Sequence, residues 1–145
     1  IKLVETTYEA MMKGIEKIKP GNTFGDIGNA IQVYAEKKNY SIVRDFCGHG
    51  LGKVFHDHPS VLHFGKPGEG ELLQEGMFFT VEPMINIGED KVKVLSDGWT
   101  AVTSDKSLSA QFEHTVGVTK TGYEIFTLSK KNFKFPPYIK NDSKI

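Results

Sequence analysis

The chain has 145 residues, of which 39% are hydrophobic and 25% are charged. This composition is typical of a globular domain with a core and excludes a disordered or fibrous chain. Eighteen basic residues balance eighteen acidic ones, so the global charge does not favour nucleic acid or an anionic membrane surface. A single cysteine, Cys47, excludes an internal disulfide, and no apolar run approaches the ~20 residues of a membrane span. Without a secretory signal, we expect a cytoplasmic protein.

The start of the chain predicts two amphipathic helices. From Leu3 to Ile18, apolar residues recur at intervals of three and four, and Pro20 ends the helix. The second helix begins at Thr23, whose hydroxyl and the carboxylate of Asp26 approximate a capping box. Each helix has one apolar side, which predicts packing against a common core.

From residue 40 onward, the apolar pattern shifts towards the period of two that is typical of strands. Two helices followed by antiparallel strands indicate an α+β fold. We expect a glycine-rich loop at 65–76, a turn at 97–98 and a loosely ordered tail over 130–145, after a domain that spans 1–129. The predicted strands are Tyr40–Asp45, Met77–Ile87, Val92–Leu95, Trp99–Val102, Ala110–Val118 and Tyr123–Thr127.

One imidazole and two carboxylates stand out as candidate metal ligands. His49 lies between Gly48 and Gly50, where the bare backbone lets the ring approach an ion or a substrate, although a turn histidine in solvent is the alternative. Glu82 lies in an apolar run, where an ionised carboxylate needs compensation. A cation is the simplest compensator, and a salt bridge or a sheet-edge position is the alternative. With Glu113, these residues have the ligand chemistry of a hard cation site.

The other histidines and the cysteine are assigned different roles. In a strand, side chains alternate between the two faces, so Glu113 and His114 point in opposite directions. If Glu113 is a metal ligand, His114 faces away from the metal and is expected to have a structural role. His58 is expected on the surface, and His63 is expected to pack a loop or to form a hydrogen bond. Cys47 has no partner cysteine, which favours a buried small residue over a nucleophile or zinc ligand.

His56 is the remaining candidate for chemistry. It follows His49 by seven residues and adjoins Phe55, and it is a candidate ligand, proton shuttle or hydrogen-bond donor to a substrate. The interval differs from the four-residue spacing of a helical His-Glu-x-x-His zinc protease, which disfavours that class.

These pieces resemble, in order and spacing, the C-terminal half of the bacterial type I methionine aminopeptidases, from about Val4 to Leu128. The seven-residue histidine interval separates the chain from the prolidase and aminopeptidase P relatives, in which that interval is longer. The motifs that carry the resemblance are Gly48-His49-Gly50-Leu51-Gly52, Phe55-His56, Gly76-Met77, Val81-Glu82-Pro83-Met84, Asp97-Gly98-Trp99 and the run from Ser107 to Thr115.

The resemblance implies a dinuclear metal site. By it, His49 and Glu82 bind one divalent ion, Glu113 bridges two, and Glu82 also takes a proton from the attacking water. The ions, Mn, Fe, Co or Zn, acidify that water and polarise the peptide carbonyl.

The resemblance also implies a substrate site. His56 would hydrogen-bond the substrate near the scissile carbonyl, which makes it catalytic together with Glu82, while Phe55 and Trp99 would form walls of the methionine pocket. The implied partners are the N-termini of nascent polypeptides, and association with the ribosome is left open. Neither recognition of nucleic acid nor membrane binding is expected, and the protein is expected to be a monomer.

The implied fold is half of the family's α+β pita-bread fold, with two helices and an antiparallel sheet. Two ligating aspartates, a second histidine and the rest of the pocket come from an N-terminal half that this sequence does not resemble. The chain therefore supplies three of five protein ligands. It also opens on Ile1 directly in a helical pattern, which indicates a piece of a longer protein. Because three ligands leave the implied metal site open, we expect this piece alone to be inactive.

Three functions remain in competition. The leading one is metal-dependent removal of N-terminal methionine from nascent proteins and peptides. A pita-bread module that binds peptides or proteins without catalysis predicts loss of the ligands, whereas His49, His56, Glu82 and Glu113 are all present. A small metal-storing domain explains the ligands but not the aromatic residues of the expected pocket.

Overall fold

A computed structural model describes residues 1–130, which form two helices and ten short strands. The predicted tail lies outside the described residues, apart from its first residue. Neither helix in the described part of the chain is long and apolar enough to cross a membrane. The elements are α1 (Lys2–Ile15), α2 (Phe24–Glu36), β1 (Ser41–Ile42), β2 (Gly48–Gly50), β3 (Asp57–Val61), β4 (Phe78–Val81), β5 (Met84–Asn86), β6 (Val92–Val94), β7 (Ala101–Thr103), β8 (Ser109–Gln111), β9 (His114–Val118) and β10 (Tyr123–Ile125).

The two predicted helices are confirmed, with one change at the end of α1. The helix ends at Ile15, before the predicted stop at Pro20, because the amides of Lys17 and Ile18 bond to carbonyls three residues back, which tightens the last turn. The two helices pack closely where Gly14 faces Ile31, since a Cβ at Gly14 would lie 2.6 Å from Cγ1 of that side chain. Both helices contribute fully buried side chains to one core.

The predicted capping box at the start of α2 is confirmed. The hydroxyl of Thr23 accepts the amide hydrogen of Asp26, and the carboxylate of Asp26 accepts the amide hydrogen of Thr23 at 2.7 Å. That carboxylate also accepts the amide hydrogen of Gly68, so it joins the helix start to the loop after β3. These hydrogen bonds, chiefly the one from the Thr23 amide, hold the pKa of Asp26 below its usual value.

We expect Asp26→Asn to lower the free energy of unfolding by about 1 kcal/mol at neutral pH, because it removes the charged half of the box. A carboxyl with a lowered folded-state pKa contributes stability above its unfolded-state pKa and loses it as the pH falls through the folded value. Urea unfolding between pH 7 and pH 3 should therefore show a smaller loss of stability for Asp26→Asn than for the wild type. The exposed Asp45→Asn is the control, and equal pH dependence in all three proteins would contradict the prediction.

The strands form three antiparallel groups in the described residues, as the α+β prediction requires. Five strands have the order β10-β9-β4-β2-β3, three have the order β1-β5-β8, and β6 and β7 form a hairpin. The five-stranded sheet packs one face on the core through fully buried residues that include Phe79, Val81 and Val116. Its other face carries His49 and Thr80.

The predicted strands Met77–Ile87 and Ala110–Val118 were each wrong as single strands. The first divides into β4 and β5 and the second into β8 and β9, with one part in each sheet. Pro83 has no N–H group for a ladder, which is a physical reason for the interruption. Val81 pairs with His114 and Met84 pairs with Gln111.

Two strands were missed, and one was predicted too long. The segments that form β2 and β3 are rich in glycine and histidine and lack the alternation of a half-buried strand. The predicted strand Tyr40–Asp45 reduces to Ser41–Ile42, which pairs with β5 at the edge of the three-stranded sheet. The predicted strands Val92–Leu95, Trp99–Val102 and Tyr123–Thr127 correspond to β6, β7 and β10 with shifts of one or two residues.

Candidate metal centre

The structure brings the three predicted ligands together. Ligand atoms of His49, Glu82 and Glu113 all lie within 4.8 Å of one another. His49 lies in the middle of β2, Glu82 lies between β4 and β5, and Glu113 lies between β8 and β9. The two carboxylates therefore occupy the points where a pair of strands passes from one sheet to the other.

The strand register places these two carboxylates opposite each other. Two residues lie between Val81 and Met84, and two lie between Gln111 and His114, so the pairing resumes in the same register after the interruption. Glu82 and Glu113 are then cross-strand neighbours, and like charges in that relation repel.

Electrostatics at the site favour a cation. Burial is the main cause of the raised pKa of Glu82, and the charge of Glu113 raises it further. A hydrogen bond from Thr80 and the neighbouring rings of His49 and His56 act in the opposite direction. One imidazole and two carboxylates suit a divalent cation of the first transition row, which would relieve the repulsion between the carboxylates. The residues present therefore fit a metal ion.

A threonine hydroxyl joins two of the candidate ligands. Oγ1 of Thr80 donates to Oε1 of Glu82 at 2.7 Å and accepts the backbone N–H of His49 at 2.9 Å. Nδ1 of His49 lies 3.0 Å from the carbonyl oxygen of Gly50. A carbonyl can only accept, so in the neutral ring Nδ1 carries the hydrogen and Nε2 presents its lone pair, 3.7 Å from Oε1 of Glu82.

The backbone of Glu82 is bonded by two side chains. Nε2 of His63 accepts its N–H at 3.0 Å, and Nε2 of Gln111 donates to its carbonyl oxygen at 3.1 Å. His63 is 2% exposed, and burial lowers its pKa to about 4, so the ring is neutral at pH 7. The prediction for His63 included hydrogen bonding, but its partner was not foreseen. Thr80 and Gln111 were missed as site residues, although both lie in or beside the quoted motifs.

Phe55 and His56 lie beside His49, as the sequence suggested. They belong to the connection between β2 and β3, and the ring centroid of His49 lies 4.5 Å from that of His56 and 5.2 Å from that of Phe55. Both side chains are exposed, Phe55 to 70%. They therefore border the group of candidate ligands on a side that is exposed.

Trp99 lies at the end of the β6–β7 hairpin, beyond a turn in which Asp97 accepts two backbone N–H groups. Its side chain is 89% exposed. Such exposure excludes core packing within residues 1–130. Among the described residues, its ring makes no stacking contact with the cluster around His49.

The other titratable residues lie apart from the cluster. His114 is buried against Tyr8, and its Nδ1 lies 2.8 Å from the hydroxyl of Thr127, so its ring faces away from the ligand cluster. His58 is on the surface beside Glu71, as predicted. Cys47 is half-buried, whereas a buried side chain was expected.

The sequence profile described as metallopeptidase family M24 matches residues 1–120. The chain therefore belongs to the M24 metallopeptidases. Its homologues are bacterial methionine aminopeptidases: that of Rickettsia prowazekii (strain Madrid E) is 64% identical over 138 residues, which are 94% of this chain and 53% of the relative. Methionine aminopeptidase A of Synechocystis sp. is 55% identical over 129 residues, which are 89% of this chain and 51% of that relative. The chain spans about half the length of the curated relatives it matches.

Solved structures support the same assignment. The crystal structure of methionine aminopeptidase from Rickettsia prowazekii superimposes with a TM-score of 0.86 at 65% identity, covering 88% of this chain and 52% of that one. The methionine aminopeptidase from Thermotoga maritima gives a TM-score of 0.83 at 44% identity, and the match covers 86% of this chain and 50% of that one. A prolidase from Pyrococcus furiosus shares the fold, with a TM-score of 0.65 at 23% identity. The match covers 89% of this chain and 32% of the prolidase. The fold is half of the pita-bread fold.

Proposed function

We propose that this chain is the C-terminal part of a methionyl aminopeptidase that removes the N-terminal methionine of nascent proteins and peptides. The convergence of His49, Glu82 and Glu113 within 4.8 Å is the observation that carries the proposal. The identity with relatives named methionine aminopeptidase supports the choice of substrate. Residues 1–129 would form this part of the catalytic domain, and we place the enzyme in the cytoplasm as a monomer.

In this proposal His49 and Glu82 would hold one divalent ion, and Glu113 would hold that ion together with a second. When bound, the ions supply Lewis acidity and activate a water molecule. Glu82 takes a proton at its carboxylate, since burial makes it a stronger base than an exposed glutamate. His56 donates a hydrogen bond to the substrate near the scissile carbonyl. Phe55 and Trp99 are apolar walls for the methionine side chain, and their exposure leaves them accessible to it.

The test compares the chain alone with a completed protein. The completed protein joins the chain at Ile1 to the part of the Rickettsia prowazekii relative that precedes the matched segment. We expect the completed protein to release methionine from a Met-Ala-Ser peptide in Mn²⁺ buffer, and the 145-residue chain alone to show negligible release, because three ligands leave the site open.

The control is the completed protein with Glu82→Gln, which should be inactive at equal folded content. Comparable turnover by the chain alone would show that the other half is not needed. Peptide binding by the completed protein without turnover would favour the non-catalytic binding module instead.

Truncation of Trp99 tests the pocket separately from the metals. A thioether gains ~0.3–1.5 kcal/mol from contact with an aromatic ring, so Trp99→Ala in the completed protein should weaken selection of methionine over shorter or branched first residues by about two- to tenfold. Metal content should not change. The comparison is kcat/KM for matched peptides with Met, Ala or Val first, with Val94→Ala on the same hairpin as the control. Unchanged selectivity would remove Trp99 from the pocket.

A further inference from the structure

The interruption of the β4–β9 ladder leaves the backbone of Glu82 outside the sheet hydrogen bonds. Ladder pairing ends at Val81 and resumes at Met84. Pro83, between them, has no N–H group. The N–H of Glu82 is therefore the one backbone donor of this corner segment that needs a partner other than the ladder.

His63 supplies that partner from another part of the chain. It lies just beyond β3, and its Nε2 is 3.0 Å from the backbone nitrogen of Glu82. A backbone amide can only donate, so Nε2 must carry the lone pair and Nδ1 the hydrogen. The ring is 2% exposed, which excludes water as an easy substitute.

The contact bears on the direction of the Glu82 side chain. Gln111 donates to the carbonyl oxygen of Glu82, so Gln111 and His63 together replace the missing ladder bonds of this backbone, while Thr80 donates to the carboxylate. Thr80 and His63 are both buried, and of the two only His63 bonds the backbone of Glu82, at its N–H. When the amide of Glu82 is fixed, the direction of its Cα–Cβ bond is fixed too. The side chain then points its carboxylate towards His49.

We propose that His63 is a positioning residue that holds the metal-binding carboxylate of Glu82 in place through its backbone N–H. The proposal rests on the proposed function, in which Glu82 is a metal ligand. Ordinary core packing is the competing role for His63, and an apolar side chain of similar size would fill that role.

The first measurement tests the hydrogen bond without metal. Long-range ¹H–¹⁵N correlation on the completed protein labelled with ¹⁵N-histidine should show His63 as the Nδ1–H tautomer, the minor form of free histidine. Slow hydrogen exchange at the Glu82 amide should accompany it. An Nε2–H tautomer for His63 would overturn the proposal.

The second measurement is Mn²⁺ affinity by calorimetry, with Mn²⁺ alone as the probe. We expect His63→Leu to weaken binding by about 10- to 100-fold, the usual effect of losing an outer partner of a metal ligand. His63→Gln, whose amide oxygen can take the place of Nε2, should stay within about threefold of the wild type. Thr7→Val is the matched control, since it removes a buried hydrogen bond to Leu3 within α1 and should leave Mn²⁺ affinity unchanged.

Wild-type Mn²⁺ affinity in a folded His63→Leu variant would reduce His63 to core packing. If that variant does not fold, His63→Gln decides: retained affinity supports the role, and lost affinity in the folded protein overturns it. Absence of Mn²⁺ binding by the wild type would instead contradict the proposed function, while the tautomer still reports whether the hydrogen bond exists.

Discussion

Glu113→Gln in the completed protein should bind fewer than two metal ions and lower kcat/KM by at least ~10²-fold. A bridging carboxylate holds both ions, and the amide that replaces it is a neutral and weaker ligand. His56→Ala should also lower kcat/KM, but this variant should keep its metal ions. The reason is that the ring of His56 only borders the ligand cluster, whereas Glu113 is one of the ligands. Metal analysis after gel filtration, together with kcat/KM on a Met-Ala-Ser peptide, makes the comparison.

The matched control is Glu124→Gln, an exposed glutamate on β10 outside the ligand cluster. It should retain both metal content and activity. Two ions in Glu113→Gln and fewer in His56→Ala would reverse the two assigned roles.

Gly28→Ala should lower the free energy of unfolding by roughly 2–4 kcal/mol. Alanine is favoured over glycine inside a helix by about 1 kcal/mol, yet here a Cβ would meet backbone. It would lie 2.7 Å from the carbonyl oxygen of Leu62 and would also meet that of Phe64. Backbone atoms cannot move aside as a flexible side chain can, so α2 must separate from the segment 62–64. Thermal unfolding should show a midpoint about 10 °C lower.

The same change should weaken Mn²⁺ binding, since the displaced segment carries His63, the partner of Glu82. Gly122→Ala is the control, because a Cβ there meets nothing within 4 Å. A Gly28→Ala protein as stable as the wild type would show that α2 can shift without cost to this contact.

Local features of the sequence account for the helices and for much of the expected chemistry. The three-and-four spacing and the Thr23–Asp26 box place α1 and α2, because helix formation depends on residues within one or two turns. An ionisable group in an apolar run made Glu82 a candidate ligand, and glycines on both sides made His49 another, again from near neighbours alone. The motif order was enough to indicate the family to which the profile assigns the chain.

Only the tertiary structure decided how distant segments meet. The sequence predicted unbroken strands across Glu82 and Glu113, whereas the folded chain interrupts both and sets the carboxylates opposite each other. It also missed β2 and β3, whose few residues gain their strand form because β2 pairs with both β3 and β4. The partnership of His63 with the amide of Glu82 spans 19 residues. Register and side-chain partners of this kind depend on long-range packing, which leaves no periodic trace in the segments that it joins.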